Sequence, residues 1–441
     1  MKPHMKPPTH FIGIGGIGMS GLARLLLLKQ QVVSGSDKSG SPLIEELRAL
    51  GAKIEIGHDP KHVPPFGTIV VSSGIRKDNP ELAACKAPEH RILHRSDLLW
   101  EMMQKKRPLL VAGSHGKTTT TSLLITVLIE AGLSPSWAVG GTLHRYGTNA
   151  DHGSGDYFVA EADESDGTHL KYIPYGLILT NVSEDHMDFY KTKEALETSL
   201  ETFVSNTVSK DHFFWCGDAL DFGAIGTSYG FAEKNRLRIS SFRQEGRRSF
   251  FDIAFEGKNY SEIEIPLMGR HNALNSAAVF GLSLRLGLSE GAVRRALKLA
   301  TGAKRRLELK WEEEGSFVFD DYAHHPKEIA ATLSALREAY PKRRIIVAFQ
   351  PHRYSRTKDC FAAFGPALKE ADILLIPEIY AAGEMPIEGI SSEALVKAIP
   401  RAHFVPRSDL LGVLNELWRP LDIVVTMGAG DITRVSDEFK S

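Results

Sequence analysis

Residues 10–23 read HFIGIGGIGMSGLA. A short apolar run meets Gly13, Gly15 and Gly18 in G-x-G-x-x-G spacing, and an apolar-periodic segment follows. Residues without a Cβ let backbone N–H groups close on a diphosphate at the positive end of a helix. The flanking sequence completes the unit: FIGIG predicts a strand, MSGLARLLLLKQ a helix and VVSGSD a second strand. That second strand ends on Asp37, about 20 residues past the turn, where such folds present a carboxylate to a ribose hydroxyl. The pattern predicts a Rossmann-like parallel sheet. The turn specifies a diphosphate but not which one. A dinucleotide cofactor, a nucleotide-linked substrate and glycines required only for packing all remain open.

Beyond this unit, short apolar runs alternate with helical patterns almost throughout, which predicts α/β architecture. A chain of 441 residues exceeds what one hydrophobic core supports, so two or three domains are expected. The first block ends near LLWEMMQKKRP, where a charged segment and Pro108 intervene, and the third opens near Lys304. The expected domains are therefore 1–105, 106–303 and 304–441. Within the second, residues 207–268 carry short alternating runs such as FFDIAFEG and many turn residues, which predicts a small antiparallel appendage. Fifty-three basic and 54 acidic residues leave a net charge of −1, so no general attraction to nucleic acid or anionic membrane is expected. Cys85, Cys216 and Cys360 lie far apart, which argues against a disulfide framework or a cysteine-rich zinc site. LARLLLL is too short to span a bilayer, which takes roughly 18 apolar residues. A cytoplasmic protein is the expectation.

Residues 109–124, LLVAGSHGKTTTTSLL, form a second phosphate motif. A strand runs into Gly113, Ser114, His115, Gly116, Lys117 and Thr118, and a Thr-rich helix starts there, with Thr119 in its first turn. The loop amides would cradle phosphates, Lys117 would add charge at the β- and γ-phosphates, and the Thr118 hydroxyl could ligate Mg²⁺. The full G-x-x-x-x-G-K-[ST] pattern is not met, because residue 111 is Val. Two further apolar strands end in acids. YFVAEADESDGT offers Glu161, Asp163, Glu164 and Asp166, and LILTNVSEDHMDFY offers Asp185, His186 and Asp188. Hard oxygen ligands beside a phosphate loop suit Mg²⁺, which singles out Glu161 and His186.

In the third block FVFDDYAHHPKEI and IIVAFQPHRYSRTKD place His324, His325, His352, Arg353 and Arg356 just after apolar strands. Open α/β sheets bind ligands there. Arginines among the histidines would repel a metal, which favours an anion over zinc. GRHNALNSAAV sets Asn272 and Asn275 at i and i+3 on one helix face, and GAKRRLE adds Arg305 and Arg306.

These stretches, with VSGSD and YAAGE, occur in an order that resembles the Mur ligase family, the ATP-dependent amide ligases of peptidoglycan precursor synthesis. The resemblance covers nearly the whole length. It implies a Rossmann-like UDP-substrate domain, a central ATPase of the P-loop type and a Rossmann-like C-terminal domain, working with ATP and Mg²⁺ through an acyl phosphate. It implies catalytic roles for Lys117, Glu161 and His186, with Thr118, Glu161 and His186 around the metal. Gly113 to Thr119 with Asn272, Asn275, Arg306 and Asp321 would serve ATP. Gly13, Gly15, Gly16, Gly18, Met19, Ser20 and Asp37 would bind the UDP end. Tyr322, His324, His352, Arg353 and Arg356 would hold the amino acid. Sister ligases carry a carbamylated lysine after the His186 motif. No lysine lies between Lys193 and Lys210 here, which fits the alanine-adding branch acting on UDP-N-acetylmuramate and L-alanine, as a monomer or homodimer. A tripeptide-recycling ligase is the nearest alternative and an NAD-dependent oxidoreductase a distant one.

Overall fold

A computed structural model describes residues 7–183 and 187–439. Its first sheet contains β1 (Thr9–Ile12), β2 (Val33–Asp37), β3 (Lys53–Ile56), β4 (Gly67–Val71) and β5 (His90–His94). The order is β3-β2-β1-β4-β5 with every pair parallel. Strand order reverses between β1 and β4, so the glycine turn leaves β1 at the topological switch point, where such sheets bind ligands. The turn leads into the helix Ile17–Leu28.

The second sheet contains β6 (Arg107–Ala112), β7 (Ser136–Leu143), β8 (Thr148–Asp151), β9 (Tyr157–Glu161), β10 (Gly176–Leu179), β11 (Phe213–Cys216), β12 (Thr227–Gly230), β13 (Leu237–Glu245), β14 (Arg248–Phe255) and β15 (Lys258–Ile265). Their order is β15-β14-β13-β12-β11-β10-β6-β9-β7-β8. Two sequence expectations change here. Pro108, read as part of a break, is the second residue of the interior strand β6, a strand-start position where a missing N–H is tolerated. The antiparallel appendage is also smaller than expected. β11 and β12 continue the parallel sheet, and only β13 to β15, joined by two-residue turns, fold as a meander. FFWC and TSYG are buried throughout their length, so neither shows the alternation that would have marked its role.

The third sheet contains β16 (Glu308–Glu313), β17 (Ser316–Asp321), β18 (Ile345–Phe349), β19 (Ile373–Ile376), β20 (Ala402–Phe404) and β21 (Ile423–Met427), in the order β16-β17-β21-β18-β19-β20. Only β16 runs antiparallel to its neighbour. Alternate residues supply two separate cores. Phe317, Phe319, Val347 and Phe349 face one, and Val318, Ile346 and Ala348 face the other. A strand buried on both faces reads as a continuous apolar run, which is how these strands appear in the sequence.

Contacts divide the chain into two units. One holds the first sheet and most of the second, and the other holds the third sheet with Phe242–Phe250 and Pro266–Ala273. Within the first unit one apolar cluster runs from Phe11, Leu22 and Leu26 through Phe158 and Leu177 to Trp215. Asn149 Nδ2 donates to the Ile17 carbonyl at 2.7 Å and to Ser20 Oγ at 3.1 Å, and Arg24 Nε donates to the Ala150 carbonyl at 3.0 Å. Among the described residues no helix is long and apolar enough to cross a membrane.

Candidate active site

The phosphate loop joins β6 to the helix Lys117–Glu130. Gly113 has φ +118°, and a Cβ on it would stand 2.6 Å from the Asn181 carbonyl, so this position requires glycine. The loop is bound to the residues that follow β10. The Thr180 hydroxyl and Asn181 Nδ2 both donate to the His115 carbonyl, at 2.7 and 2.9 Å. His115 N donates to Asn181 Oδ1 at 3.0 Å, and Ser183 N donates to Ser114 Oγ at 2.8 Å. Asn275 lies against Gly116, with its Oδ1 3.0 Å from where a Cβ would stand.

Lys117 Nζ donates to the Gly113 carbonyl at 2.6 Å and to both Glu164 oxygens at 3.1 and 3.0 Å. Lys117 is 15 % exposed and Glu164 2 %, so the pair is well screened from water. Burial opposes the ammonium charge, but Glu164, Asp163 and Glu161 outweigh it and hold Lys117 above the usual lysine range. Asp163 is held below the usual carboxylate range. Burial acts against its charge, and the Lys117 charge and the Ser165 N–H prevail. Three carboxylates thus act on two cations, Lys117 and Arg95, which leaves one negative charge in excess. Glu161, at the end of β9, accepts from Gly140 N at 3.1 Å, and Thr118 is buried in the first turn of the helix after the loop. Hard oxygen donors with excess negative charge suit Mg²⁺, which binds through a few carboxylates plus phosphates. His186 and Asp185 lie outside the described residues.

The glycine turn belongs to the same unit. Gly13 has φ +81° and donates its N–H to the Ser36 carbonyl at 2.8 Å, as Ile14 does at 3.0 Å. Asp37 Oδ2 accepts from Gly15 N at 2.8 Å, so the carboxylate expected at a ribose is bonded to the turn itself. Met19 and Ser20 are buried in the helix that follows. Arg95, which sequence reasoning passed over, opens the helix Arg95–Met103 with its guanidinium beside Gly18. Its Nη2 reaches Asp163 Oδ2 at 3.4 Å. The series Gly18, Arg95, Asp163 and Lys117 therefore connects the two phosphate motifs.

Glu81 was also not legible in advance. It is 0 % exposed and accepts from Ser36 Oγ at 2.6 Å, from Asp59 N at 3.2 Å and from His62 Nδ1 at 3.0 Å, with His10 Nε2 at 3.3 Å. These bonds hold it to about pKa 2 against the opposing effect of burial. Since Ser36 also carries the turn, Glu81 supports the glycine loop from beneath.

In the second unit the ends of β17 and β18 bring the basic residues together. His324 Nδ1 bonds to the Tyr322 carbonyl at 2.9 Å, and the His324 and His352 rings lie 6.0 Å apart. Arg356 Nη1 is 3.1 Å from His352 Nδ1, and His352 stacks on Tyr380 at 5.5 Å and 8°. Burial pushes both His324 and His352 down to about 4, with the Arg356 charge acting in the same direction on each. Arg305 and Arg306 lie over the Tyr322 ring at 5.0 and 5.2 Å. Asp321 accepts from Leu307 N at 2.8 Å and Ala323 N at 2.7 Å, which fixes this loop, and burial pushes its carboxyl up to about 6. Asn272 Nδ2 donates to the Met268 carbonyl at 2.8 Å. Arg353 pairs with Glu384, a partner the sequence did not single out. Among the described residues no group of three or more histidines, cysteines and acids is placed to hold a metal ion.

Three domain models of one family match the chain in succession. They are the Mur ligase family catalytic domain over residues 8–107, the Mur ligase middle domain over 111–283, and the Mur ligase glutamate ligase domain over 305–430. The chain is 46% identical over 446 residues to the UDP-N-acetylmuramate–L-alanine ligase of Protochlamydia amoebophila, covering 99% of this chain and 98% of that one. It is 42% identical to a bifunctional enzyme MurC/Ddl of Chlamydia caviae, covering 98% of this chain and 54% of that one. The crystal structure of UDP-N-acetylmuramate-alanine ligase from Thermotoga maritima superimposes with a TM-score of 0.86 at 29% identity, covering 99% and 98% of the two chains.

Proposed function

The chain belongs to the Mur ligase family, and on that premise we propose that it joins L-alanine to the carboxylate of UDP-N-acetylmuramate, converting ATP to ADP and phosphate. The observation that carries this reading is the linkage of two phosphate motifs in one unit through Arg95 and Asp163. A substrate with a diphosphate at one end and a carboxylate at the other suits such a pair of sites. A dinucleotide oxidoreductase would leave the second motif and its acids without a use.

A carboxylate resists amine attack because oxide is a poor leaving group. In the proposed reaction a carboxylate oxygen attacks the γ-phosphorus, the bond to the bridging oxygen breaks and ADP departs. The neutral amine of alanine then attacks the acyl carbon. The tetrahedral adduct collapses with cleavage of the C–O bond to phosphate, and the amine proton passes to solvent. Two anions meet in the first step, so charge neutralisation dominates its barrier. Lys117 supplies a permanent ammonium, and the loop amides other than those of Ser114 and His115, which are bonded to Asn181, would meet the phosphates. Thr118 and Glu161, with His186, would hold Mg²⁺, whose bound charge would offset that of the phosphates.

The glycines 13, 15, 16 and 18, with Met19, Ser20 and Asp37, are assigned to the UDP end, and residues 1–105 to the domain that carries it. Residues 106–303 are assigned to ATP, with Asn272 and Asn275 at the nucleotide. Residues 304–441 supply Arg306 and Asp321 to the nucleotide, and Tyr322, His324, His352, Arg353 and Arg356 to the amino acid. With His324 and His352 neutral at pH 7, the arginines provide the positive charge for the alanine carboxylate.

The test is phosphate release with each substrate omitted in turn. Release requiring ATP, UDP-N-acetylmuramate and L-alanine together supports the assignment. Release without alanine, or equal rates with a preformed tripeptide, rejects it.

A further inference from the structure

Arg353 has φ +71° and ψ +136°, a conformation that side-chain-bearing residues rarely adopt. Non-glycine residues held in such regions concentrate at ligand clamps, and only surrounding contacts keep them there. The contacts here are specific. Arg353 N donates to the Tyr380 carbonyl at 2.8 Å, and Tyr380 N donates to the Pro351 carbonyl at 2.8 Å, so the segment is stitched to the loop after β19. Four residues after Tyr380, Glu384 reaches back. Its Oε1 accepts from Arg353 Nε at 2.7 Å and from Ser355 Oγ at 2.7 Å, and its Oε2 accepts from Ser355 N at 2.9 Å. The carboxylate thus braces the backbone on one side of Arg353 and the guanidinium on the other.

The bond to Glu384 uses Nε. The opposite edge of the guanidinium, with its two Nη groups, is the edge that pairs bidentately with a carboxylate. Arg353 is 43 % exposed while Glu384 is 22 % exposed, so the anchor is sheltered and the guanidinium is open. His352, stacked on Tyr380, and Arg356 flank it.

We propose that Glu384 is a positioning residue for the amino-acid cosubstrate, holding Arg353 in its strained conformation so that the free guanidinium edge meets the alanine α-carboxylate. This rests on the ligase reading above and adds to it the residue that sets the clamp's direction. Glu384 acts through Arg353 and does not touch the reacting atoms. Its loss should weaken alanine capture and spare the chemistry once alanine is bound.

The experiment measures phosphate release against alanine concentration for the wild type, Glu384→Ala and Glu384→Gln. The expected result for Glu384→Ala is an alanine KM raised at least tenfold, with kcat and the KM values for ATP and the UDP substrate within about threefold of wild type. Glu384→Gln keeps one acceptor oxygen for Arg353 Nε and should recover part of the alanine KM. An unchanged alanine KM overturns the proposal, as does a fall in kcat alone or a parallel rise in all three KM values. A wild type that releases phosphate without alanine would instead overturn the ligase reading, so the two failures are distinct. Arg353→Gly gives a second measure: glycine fits this backbone, so the variant should melt no lower than the wild type while alanine use collapses. A lowered melting temperature would refute the strained clamp.

Discussion

Glu81→Gln is the most revealing perturbation of the first unit, because the side chain keeps its shape and loses its charge and one acceptor oxygen. Its carboxyl is held at about 2 against an ordinary 4.5. That corresponds to roughly 3 kcal/mol of folding stability at neutral pH. The sign follows from proton binding. Between pH 4.5 and 2 the unfolded chain takes up the proton first, so the contribution is complete above about 4.5 and fades as the pH falls towards 2. Glutamine also keeps only one acceptor oxygen, so either Ser36 and His10 or Asp59 N and His62 lose theirs, and Ser36 carries the glycine turn. The expected outcome is a loss of about 2–4 kcal/mol at pH 7 and a raised KM for the UDP substrate. A urea titration read by hydrogen exchange in β1 and β2 reports this sheet without averaging over the whole chain. A difference below about 1 kcal/mol at pH 7, or one that stays constant from pH 7 to pH 3, would refute the reasoning.

Lys117→Met should lower kcat at least about 100-fold by removing charge at the phosphates. It should also destabilise the unit by about 3–5 kcal/mol, because Glu164 is left buried without its partner. The double variant with Glu164→Gln should recover stability but not turnover, as denaturation and phosphate release would show; recovery of neither would mean that the pair is not coupled. Gly113→Ala forces a Cβ towards the Asn181 carbonyl, so ATP binding measured by calorimetry should be lost, and unchanged affinity would count against the loop geometry. His324 and His352, pushed down to about 4 by burial, contribute stability that is present above pH 6.5 and is lost as the pH falls through 4. The alanine KM should therefore stay flat from pH 6 to 8, and an inflection near 6.5 would show that one of them titrates in the site.

The elements legible in the sequence are those whose chemistry is local. A glycine turn, a phosphate loop and an apolar strand ending in polar residues each advertise themselves within a dozen positions. The supports were not legible, because each depends on residues far apart in sequence. Glu81 meets His10 across 71 positions and Arg95 meets Asp163 across 68. Glu384 lay in a quoted motif, yet nothing local says that it brackets Arg353. Asp37 shows the converse. It ends β2 as expected, and its carboxylate accepts from the half-buried Gly15 N–H, which no local signal foretold. Pro108 misled because proline usually marks a break, whereas the start of a strand tolerates it.

The apolar cluster from Phe11 to Trp215 has a consequence for synthesis on the ribosome. The amino-terminal sheet cannot close its core when its own last strand emerges, since Phe158, Leu177 and Trp215 have yet to be made. A nascent chain stalled after residue 107 would display the apolar side of the helix Ile17–Leu28 to solvent and to chaperones. A fragment cut at that seam would fold poorly, although the domain models treat it as a boundary. Excision or fusion of the amino-terminal sheet would therefore have to carry the rest of the first unit with it, through to Thr301.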